Sequence, residues 1–189
     1  MSGNPFRHSG NYLMFCNRNI YLIGYRCTGK TTIGRILASI IKFCFLDTDE
    51  EIETQKLASI ASIVKQNGWK KFRDIEKNIL FKTGKLNNHV VATGGGIITL
   101  DKNVQFMKKK GIVIWLKAPA HIIIGRMAKD PTSSYLRPSL TGKTIEDEAI
   151  SVLSRRIPIY QDACDFEFDT SFLSPEKIAE NIKRKILSA

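Results

Sequence analysis

Apolar residues recur along this chain with two different spacings, which predict strands and helices in turn. Short runs rich in β-branched and aromatic residues predict strands at 19–24, 43–46, 90–93, 112–116 and 166–169. Apolar residues three and four positions apart predict helices at 30–41, about 50–64, 69–82, 101–110, 119–127, 144–157 and 175–187. Because strands alternate with helices and several strands are apolar throughout, we predict an α/β fold whose parallel sheet is covered by helices on both faces.

A few residues mark where these elements begin or break. Gly68 interrupts the helical pattern, and Asp101 is a predicted N-cap for the helix that follows it. Ser174 and Pro175 predict the start of the last helix. The segment 129–143 is polar, contains two prolines and has little periodicity. It is the one long loop predicted inside the fold, and such loops are usually functional or disordered.

The length of 189 residues fits one domain with a mobile insert, which we place at 19–189. Residues 1–18 contain no acid and are predicted to form a disordered extension, although their composition leaves a transit peptide open. No stretch approaches the length of a membrane span.

The cysteines match no zinc or redox spacing, which predicts reduced thiols in an intracellular, cytoplasmic protein. They are Cys16, Cys27, Cys44 and Cys164.

The formal net charge of +11 predicts an anionic partner, such as a nucleotide, an acidic substrate, a nucleic acid or a membrane surface. The basic residues are scattered, with one short run of lysines at 108–110. Scattered charge favours a solvated surface over a nucleic-acid-binding stripe.

Residues 24–31 match the pattern G-x-x-x-x-G-K-[ST] of a phosphate-binding P-loop, between a predicted strand and a predicted helix. The two glycines allow backbone N–H groups to turn towards a phosphate, and the helix N-terminus adds positive potential. Lys30 would reach the outer phosphates, and the Thr31 hydroxyl would bind Mg²⁺. The residues assigned to the nucleotide here are Gly24, Cys27, Thr28, Gly29, Lys30, Thr31 and Thr32.

Two further groups of residues follow predicted strands and should therefore meet the P-loop in one cleft. Asp47 could hold a magnesium ion and Asp49 could accept a hydrogen bond from a substrate hydroxyl, but either could instead cap the helix that begins near residue 50. Gly94, Gly95 and Gly96 suit a close approach of backbone to a ligand, with a flexible turn as the alternative.

Arginines supply the remaining candidate chemistry. Arg73 could pair with Glu76 within its helix or present its guanidinium to a substrate carboxylate. Arg155 and Arg156 could end a helix in solvent, or one of them could complete a two-arginine carboxylate clamp. Arg137, in the long polar loop, is typical of a lid arginine that meets the phosphates on closure.

Taken together, these residues resemble those of the shikimate kinase family. The resemblance covers residues 19–187 approximately. It rests on six motifs, each weak alone, whose order and separation along the chain are specific. The motifs are 24–35, Leu46-Asp47-Thr48-Asp49, Phe72-Arg73-Asp74-Ile75-Glu76, Thr93-Gly94-Gly95-Gly96, Leu136-Arg137-Pro138 and Arg156-Ile157-Pro158-Ile159-Tyr160. The resemblance implies a fold like that of nucleoside monophosphate kinases, with substrate-binding helices at about 49–83 and a lid at about 128–143.

The resemblance also implies a reaction, the transfer of phosphate from ATP to the 3-hydroxyl of shikimate with Mg²⁺, in the pathway to chorismate and the aromatic amino acids. Lys30, Asp49 and Arg137 would be catalytic, and Thr31 and Asp47 would serve the metal. Shikimate would be bound by Asp49, Arg73, Gly94, Gly95, Gly96 and Arg156. Arg126 would contact adenine. Apart from the resemblance, we expect a monomer that has neither a membrane nor a nucleic acid as its partner.

Two positions depart from the family pattern. Trp69 follows Gly68 where the family has a glutamate, and Ser139 replaces a leucine after the lid arginine. Two other functions stay open at this point. A gluconate-type kinase shares the P-loop and a carboxylate substrate, although the acidic and triple-glycine motifs argue against it. An ATP-binding regulatory or nucleic-acid-associated protein is supported by the net charge alone.

Overall fold

We describe residues 18–129 and 144–188 of a computed structural model of the chain. Five strands form one parallel sheet in the order β2-β3-β1-β4-β5. The strands are β1 (Asn19–Ile23), β2 (Cys44–Asp47), β3 (His89–Ala92), β4 (Gly111–Lys117) and β5 (Phe166–Asp169). The helices are α1 (Lys30–Ile41), α2 (Thr48–Lys56), α3 (Ile60–Lys82), α4 (Asp101–Lys110), α5 (Ala120–Lys129), α6 (Ile145–Ala163) and α7 (Pro175–Leu187). The predicted parallel α/β architecture is confirmed.

The central strand β1 supplies buried side chains to both faces of the sheet. Ile20 and Leu22 pack with residues of α1 and α7, whereas Tyr21 and Ile23 pack with residues of α3, α4 and α6. This alternation follows from the two-residue period of a strand, and covering both faces explains why the strand is apolar throughout.

Helix α3 contains one break, at the predicted position. Gly68 has φ 73° and ψ 165°, a conformation outside the helical region that is almost exclusive to glycine. The break redirects the following turns, so that Trp69, Phe72 and Arg73 face a cavity beside the P-loop.

Two sequence predictions about helix ends are wrong. Asp101 is the first residue of α4 rather than its N-cap; Leu100 takes the cap position and makes no side-chain cap hydrogen bond. Helix α6 does not end near Ile157 but continues through Pro158 to Ala163. Proline removes one helical hydrogen bond, yet Tyr160 and Ala163 are fully buried in the core, and this burial offsets the local cost.

Candidate active site

The loop between β1 and α1 has the backbone that a P-loop needs. Gly24 has φ 144°, and a Cβ atom there would lie 2.3 Å from the carbonyl oxygen of Leu116. Gly29 has φ 89° and precedes the first residue of α1. Both glycines are therefore required by the fold, one by close packing against β4 and both by positive φ.

Lys30 is held inside this loop. Its ammonium donates a hydrogen bond of 2.7 Å to the carbonyl oxygen of Tyr25, and the Thr28 hydroxyl donates to the same oxygen at 2.8 Å. The lysine is 8% exposed, so its charge lies in a largely desolvated position, where it would act strongly on a bound phosphate.

Asp47 caps a helix, as one of its two predicted roles required, and it also contacts Thr31, the other residue predicted to serve a metal. One carboxylate oxygen accepts from the backbone N–H of Asp49 at 2.9 Å, as an N-cap of α2 does, and the other accepts from the Thr31 hydroxyl at 2.7 Å. Hydroxyl and carboxylate oxygens of this kind are the ligands that Mg²⁺ prefers in proteins. The described residues contain no group of three or more His, Cys, Asp or Glu residues that could hold a metal alone. A metal at this pair would therefore depend on phosphate oxygens for further ligands.

Asp49 lies over the glycine segment that follows β3. A Cβ atom on Gly94 would lie 2.8 Å from an Asp49 carboxylate oxygen and 2.3 Å from one of Glu76. The Gly94 N–H donates to the Thr48 hydroxyl at 3.1 Å, which fixes the turn. Only glycine lets the two carboxylates approach this backbone, so Gly94 is required by packing against protein side chains, whereas the predicted approach of a ligand to this segment stays a prediction.

Arg73 is fixed by Glu76 and by two aromatic rings. Its guanidinium donates to the Glu76 carboxylate at 2.5 Å and lies 5.4 Å and 5.3 Å from the ring centroids of Trp69 and Phe72. A Cβ atom on Gly96 would lie 2.2 Å from one of its nitrogens. Trp69, a departure from the family pattern, therefore lines the cavity and supports the arginine.

The pKa of Glu76 is raised, and the largest cause is burial of its carboxyl group away from water. The Arg73 guanidinium opposes the rise, whereas the charge of Asp49 adds to it. One Glu76 oxygen is buried and has no hydrogen-bond partner among the described residues. The pair is thus held in a dry environment next to Asp49.

Arg156 and Tyr160 reach the glycine segment from α6. The Arg156 guanidinium donates to the Gly95 carbonyl at 3.1 Å, and the Tyr160 hydroxyl donates to the same oxygen at 2.5 Å. Burial raises the pKa of Tyr160, which keeps it protonated and able to donate. Tyr160 belongs to the motif at 156–160 but was given no role, because the helix was predicted to end near Ile157. The apolar residues that flank Pro158 were the available signal.

Two of the cavities beside the P-loop contain predicted site residues. The smaller one is lined by Arg26, Asp49, Trp69, Arg73, Gly95 and Arg156, among others. The larger one is lined by Cys27, Thr28, Gly29, Thr32 and Arg126, among others. The structure therefore brings the predicted substrate residues to one side of the P-loop and Arg126 to the other.

Arg126 is anchored beside the second cavity. It donates to the Cys27 carbonyl at 3.2 Å and to the Thr170 hydroxyl at 3.0 Å. Thr170 follows β5 and was not predicted. Arg137, predicted as the lid arginine, lies outside the described residues, as does the predicted lid from residue 130 onward.

A P-loop beside a pocket lined by three arginines and a carboxylate, on this parallel sheet, defines a P-loop kinase that acts on a small molecule. The family model described as shikimate kinase matches residues 26–187. The chain belongs to the shikimate kinase family, as its sequence motifs predicted.

Individual relatives agree with this assignment. The chain is 40% identical to shikimate kinase 2 of Photorhabdus laumondii over 172 residues, which cover 91% of this chain and 97% of the relative. It is 39% identical to shikimate kinase of Syntrophus aciditrophicus over 180 residues, which cover 91% and 92%. Shikimate kinase from Acinetobacter baumannii, solved in complex with shikimate, is 34% identical with a TM-score of 0.86, and the match covers 94% of this chain and 97% of that one.

Proposed function

We propose that the two cavities at the P-loop bind ATP and shikimate, and that the chain transfers the γ-phosphate of ATP to the 3-hydroxyl of shikimate. The products are shikimate 3-phosphate and ADP. The observation that carries this proposal is the position of Asp49. Asp49 lines the smaller cavity together with P-loop residues and the two arginines suited to a carboxylate substrate.

The residues of the smaller cavity would bind and orient the acceptor. Arg73 and Arg156 would bind the shikimate carboxylate, while the backbone of Gly94, Gly95 and Gly96 would contact the ring. Asp49 would accept a hydrogen bond from the attacking hydroxyl and orient it. Phosphoryl transfer needs mainly positioning and neutralisation of charge, so little further chemistry is required of the protein.

The phosphate side would rely on the P-loop. Lys30 would bind the transferred phosphate and neutralise charge that develops during transfer, and Arg137 would add a second cation there. The remaining P-loop residues assigned above would contact the phosphates, and Arg126 would contact adenine. Thr31 and Asp47 would hold Mg²⁺, which supplies charge neutralisation to the phosphates when it is bound.

We also propose that 19–189 forms one domain, with substrate-binding helices α2 and α3 and a lid at about 128–143. We propose a monomer as well. Within the parts of the chain described here, none of the helices is both long and apolar enough to cross a bilayer. Cys44 and Cys164 are free thiols, which supports a cytoplasmic location.

The test is an ADP-release assay with ATP and Mg²⁺, with and without shikimate. We expect ADP release that depends on shikimate. Gluconate serves as the control acceptor, because it also carries a carboxylate. Turnover with gluconate and none with millimolar shikimate would contradict the proposal.

A further inference from the structure

Arg26 in the P-loop forms a buried ion pair with Glu148 in the first turn of α6. The two side chains are 12% and 1% exposed. None of the roles proposed above involves either residue. Burying an ion pair is costly, and an apolar pair of similar volume is often as stable, so stability alone does not explain this arrangement.

The pair joins two elements that carry different parts of the site. Tyr25, whose carbonyl oxygen orients Lys30, immediately precedes Arg26 in the chain. Helix α6 also carries Arg156, which contacts the Gly95 carbonyl. The pair therefore links the loop that positions the lysine to the helix that positions the arginine.

The glycine segment makes a second connection between the same elements. A Cβ atom built on Gly95 would lie 3.3 Å from the carbonyl oxygen of Gly24 and 3.4 Å from the backbone nitrogen of Arg26. The P-loop, the glycine segment and α6 thus form a closed ring of contacts around the smaller cavity, which Arg26 also lines. Within this ring, the ion pair is a direct link between the P-loop and α6.

We propose that Arg26 and Glu148 are positioning residues for phosphoryl transfer. They hold the phosphate-binding loop and the carboxylate-binding helix at the separation that aligns the acceptor hydroxyl with the transferred phosphate. The inference rests on the proposed function, because it requires a phosphate donor at Lys30 and a carboxylate acceptor at Arg156. Alignment matters when both substrates are bound, so it should affect turnover more than the binding of either substrate.

The first test replaces Glu148→Gln, with Glu146→Gln as the matched control. The control makes the same change of charge in the same helical turn at an exposed position. For Glu148→Gln we expect kcat per folded molecule to fall on the order of 10²-fold, with little change in the KM of ATP or shikimate. The control should keep the wild-type kcat.

A double-mutant cycle tests whether the two residues act as a unit. We expect Arg26→Met combined with Glu148→Gln to lose no more kcat than the more damaging single variant, because the second change removes a link that is already broken. Arg26→Met alone leaves Glu148 buried without this partner and could fail to fold. The double variant removes both charges at similar volume and remains measurable, and Arg26→Lys should recover part of the kcat.

The outcomes distinguish a failure of the positioning role of Arg26 and Glu148 from a failure of the proposed function. Wild-type kcat in Glu148→Gln would overturn the inference, as would a loss of activity that merely follows the folded fraction in thermal unfolding. Additive losses in the cycle would show that the residues act independently, which also contradicts it. A wild-type chain without shikimate-dependent ADP release would instead contradict the proposed function, and the inference with it.

Discussion

Single residues at this site differ in whether their charge is already paired. Arg73 is paired with Glu76, whereas Arg156 has a carbonyl oxygen as its hydrogen-bond partner among the described residues. A carbonyl satisfies a guanidinium only in part, and its other N–H groups remain available to a carboxylate fork. Arg156 therefore provides the cleaner test of carboxylate binding.

We expect Arg156→Ala to raise the shikimate KM by roughly 10- to 100-fold, because it removes charged hydrogen bonds of about 1.5–3 kcal/mol. The ATP KM should change little. Arg155→Ala is the matched control, since Arg155 is exposed and contacts Ser151 on its own helix. Steady-state kinetics with each substrate varied in turn would measure this, and a selective loss of ATP affinity would mean that the clamp is assigned wrongly.

Arg73→Ala should also raise the shikimate KM, but with an added loss of stability. It would leave Glu76, whose side chain is 1% exposed, without its cation. Breaking a buried pair in this way costs about 3–5 kcal/mol. Chemical denaturation should therefore distinguish this variant from Arg156→Ala, which breaks no ion pair among the described residues.

Asp49→Asn should lower kcat by about 10²- to 10⁴-fold if the carboxylate orients or deprotonates the hydroxyl. ATP should still bind, because the amide keeps the volume and lies outside the P-loop. Glu50→Gln, at the exposed neighbouring position, is the control. Single-turnover kinetics beside a nucleotide-binding titration would measure both effects, and unchanged turnover would remove Asp49 from the mechanism.

The raised pKa of Glu76 predicts how stability depends on pH. The folded protein holds this proton more tightly than the unfolded chain, so folding is favoured at low pH. That contribution is lost as pH rises from the ordinary glutamate range, near ~4.3, through the raised pKa. Glu76→Gln should therefore flatten the decline of the free energy of unfolding over this window. Urea denaturation at a series of pH values would test it, and equal slopes for the two proteins would contradict it.

At the scale of elements, the site depends on irregular features in two helices. The break at Gly68 turns the second part of α3 towards the cavity, and α6 continues past Pro158 far enough to bring Tyr160 to the Gly95 carbonyl. A straight α3, or an α6 that ended before Pro158, would move these side chains away from the pocket and leave the P-loop unchanged.

The break in α3 can be tested with a matched pair of glycines. A Cβ atom at Gly68 or at Gly125 would meet nothing within 4 Å, but Gly68 has φ 73°. We expect Gly68→Ala to destabilise by about 1–3 kcal/mol from backbone strain and to raise the shikimate KM. Gly125→Ala, within α5, should stabilise by about 0.5–1 kcal/mol. Thermal unfolding would compare them, and equal effects would mean that the strain at Gly68 is unimportant.

At the scale of the whole molecule, the sheet brings distant segments to one edge. The P-loop follows β1, Asp47 ends β2, and the triple glycine follows β3, so all lie beyond the carboxyl ends of neighbouring parallel strands. The net charge of +11 is spread over the chain, while two of the arginines that line the smaller cavity are paired with buried glutamates. The binding of an acidic substrate therefore depends on particular guanidiniums rather than on the total charge.

Much of this arrangement could be predicted from the sequence. The P-loop, the order of strands and helices, the break at Gly68 and the family resemblance all come from short stretches or from their order. The meeting of Asp47 with the P-loop in one cleft was also expected, because both follow strands that end at the same edge of the sheet. These features depend on local backbone preferences or on the regular geometry of parallel sheets.

Only the tertiary structure decided the contacts between distant segments. The pairing of Arg26 with Glu148, the reach of α6 to Gly95 and the two cavities on either side of the P-loop have no local signal. Their free energy comes from burial and from partners far apart in the chain, which overrides local propensity, as it does at Pro158. The sequence by itself determined the phosphate-binding loop and the resemblance to shikimate kinases, because both lie in short motifs and their order. The fold decided the pairing of charged side chains such as Arg26 and Glu148, because those partners lie far apart in the chain.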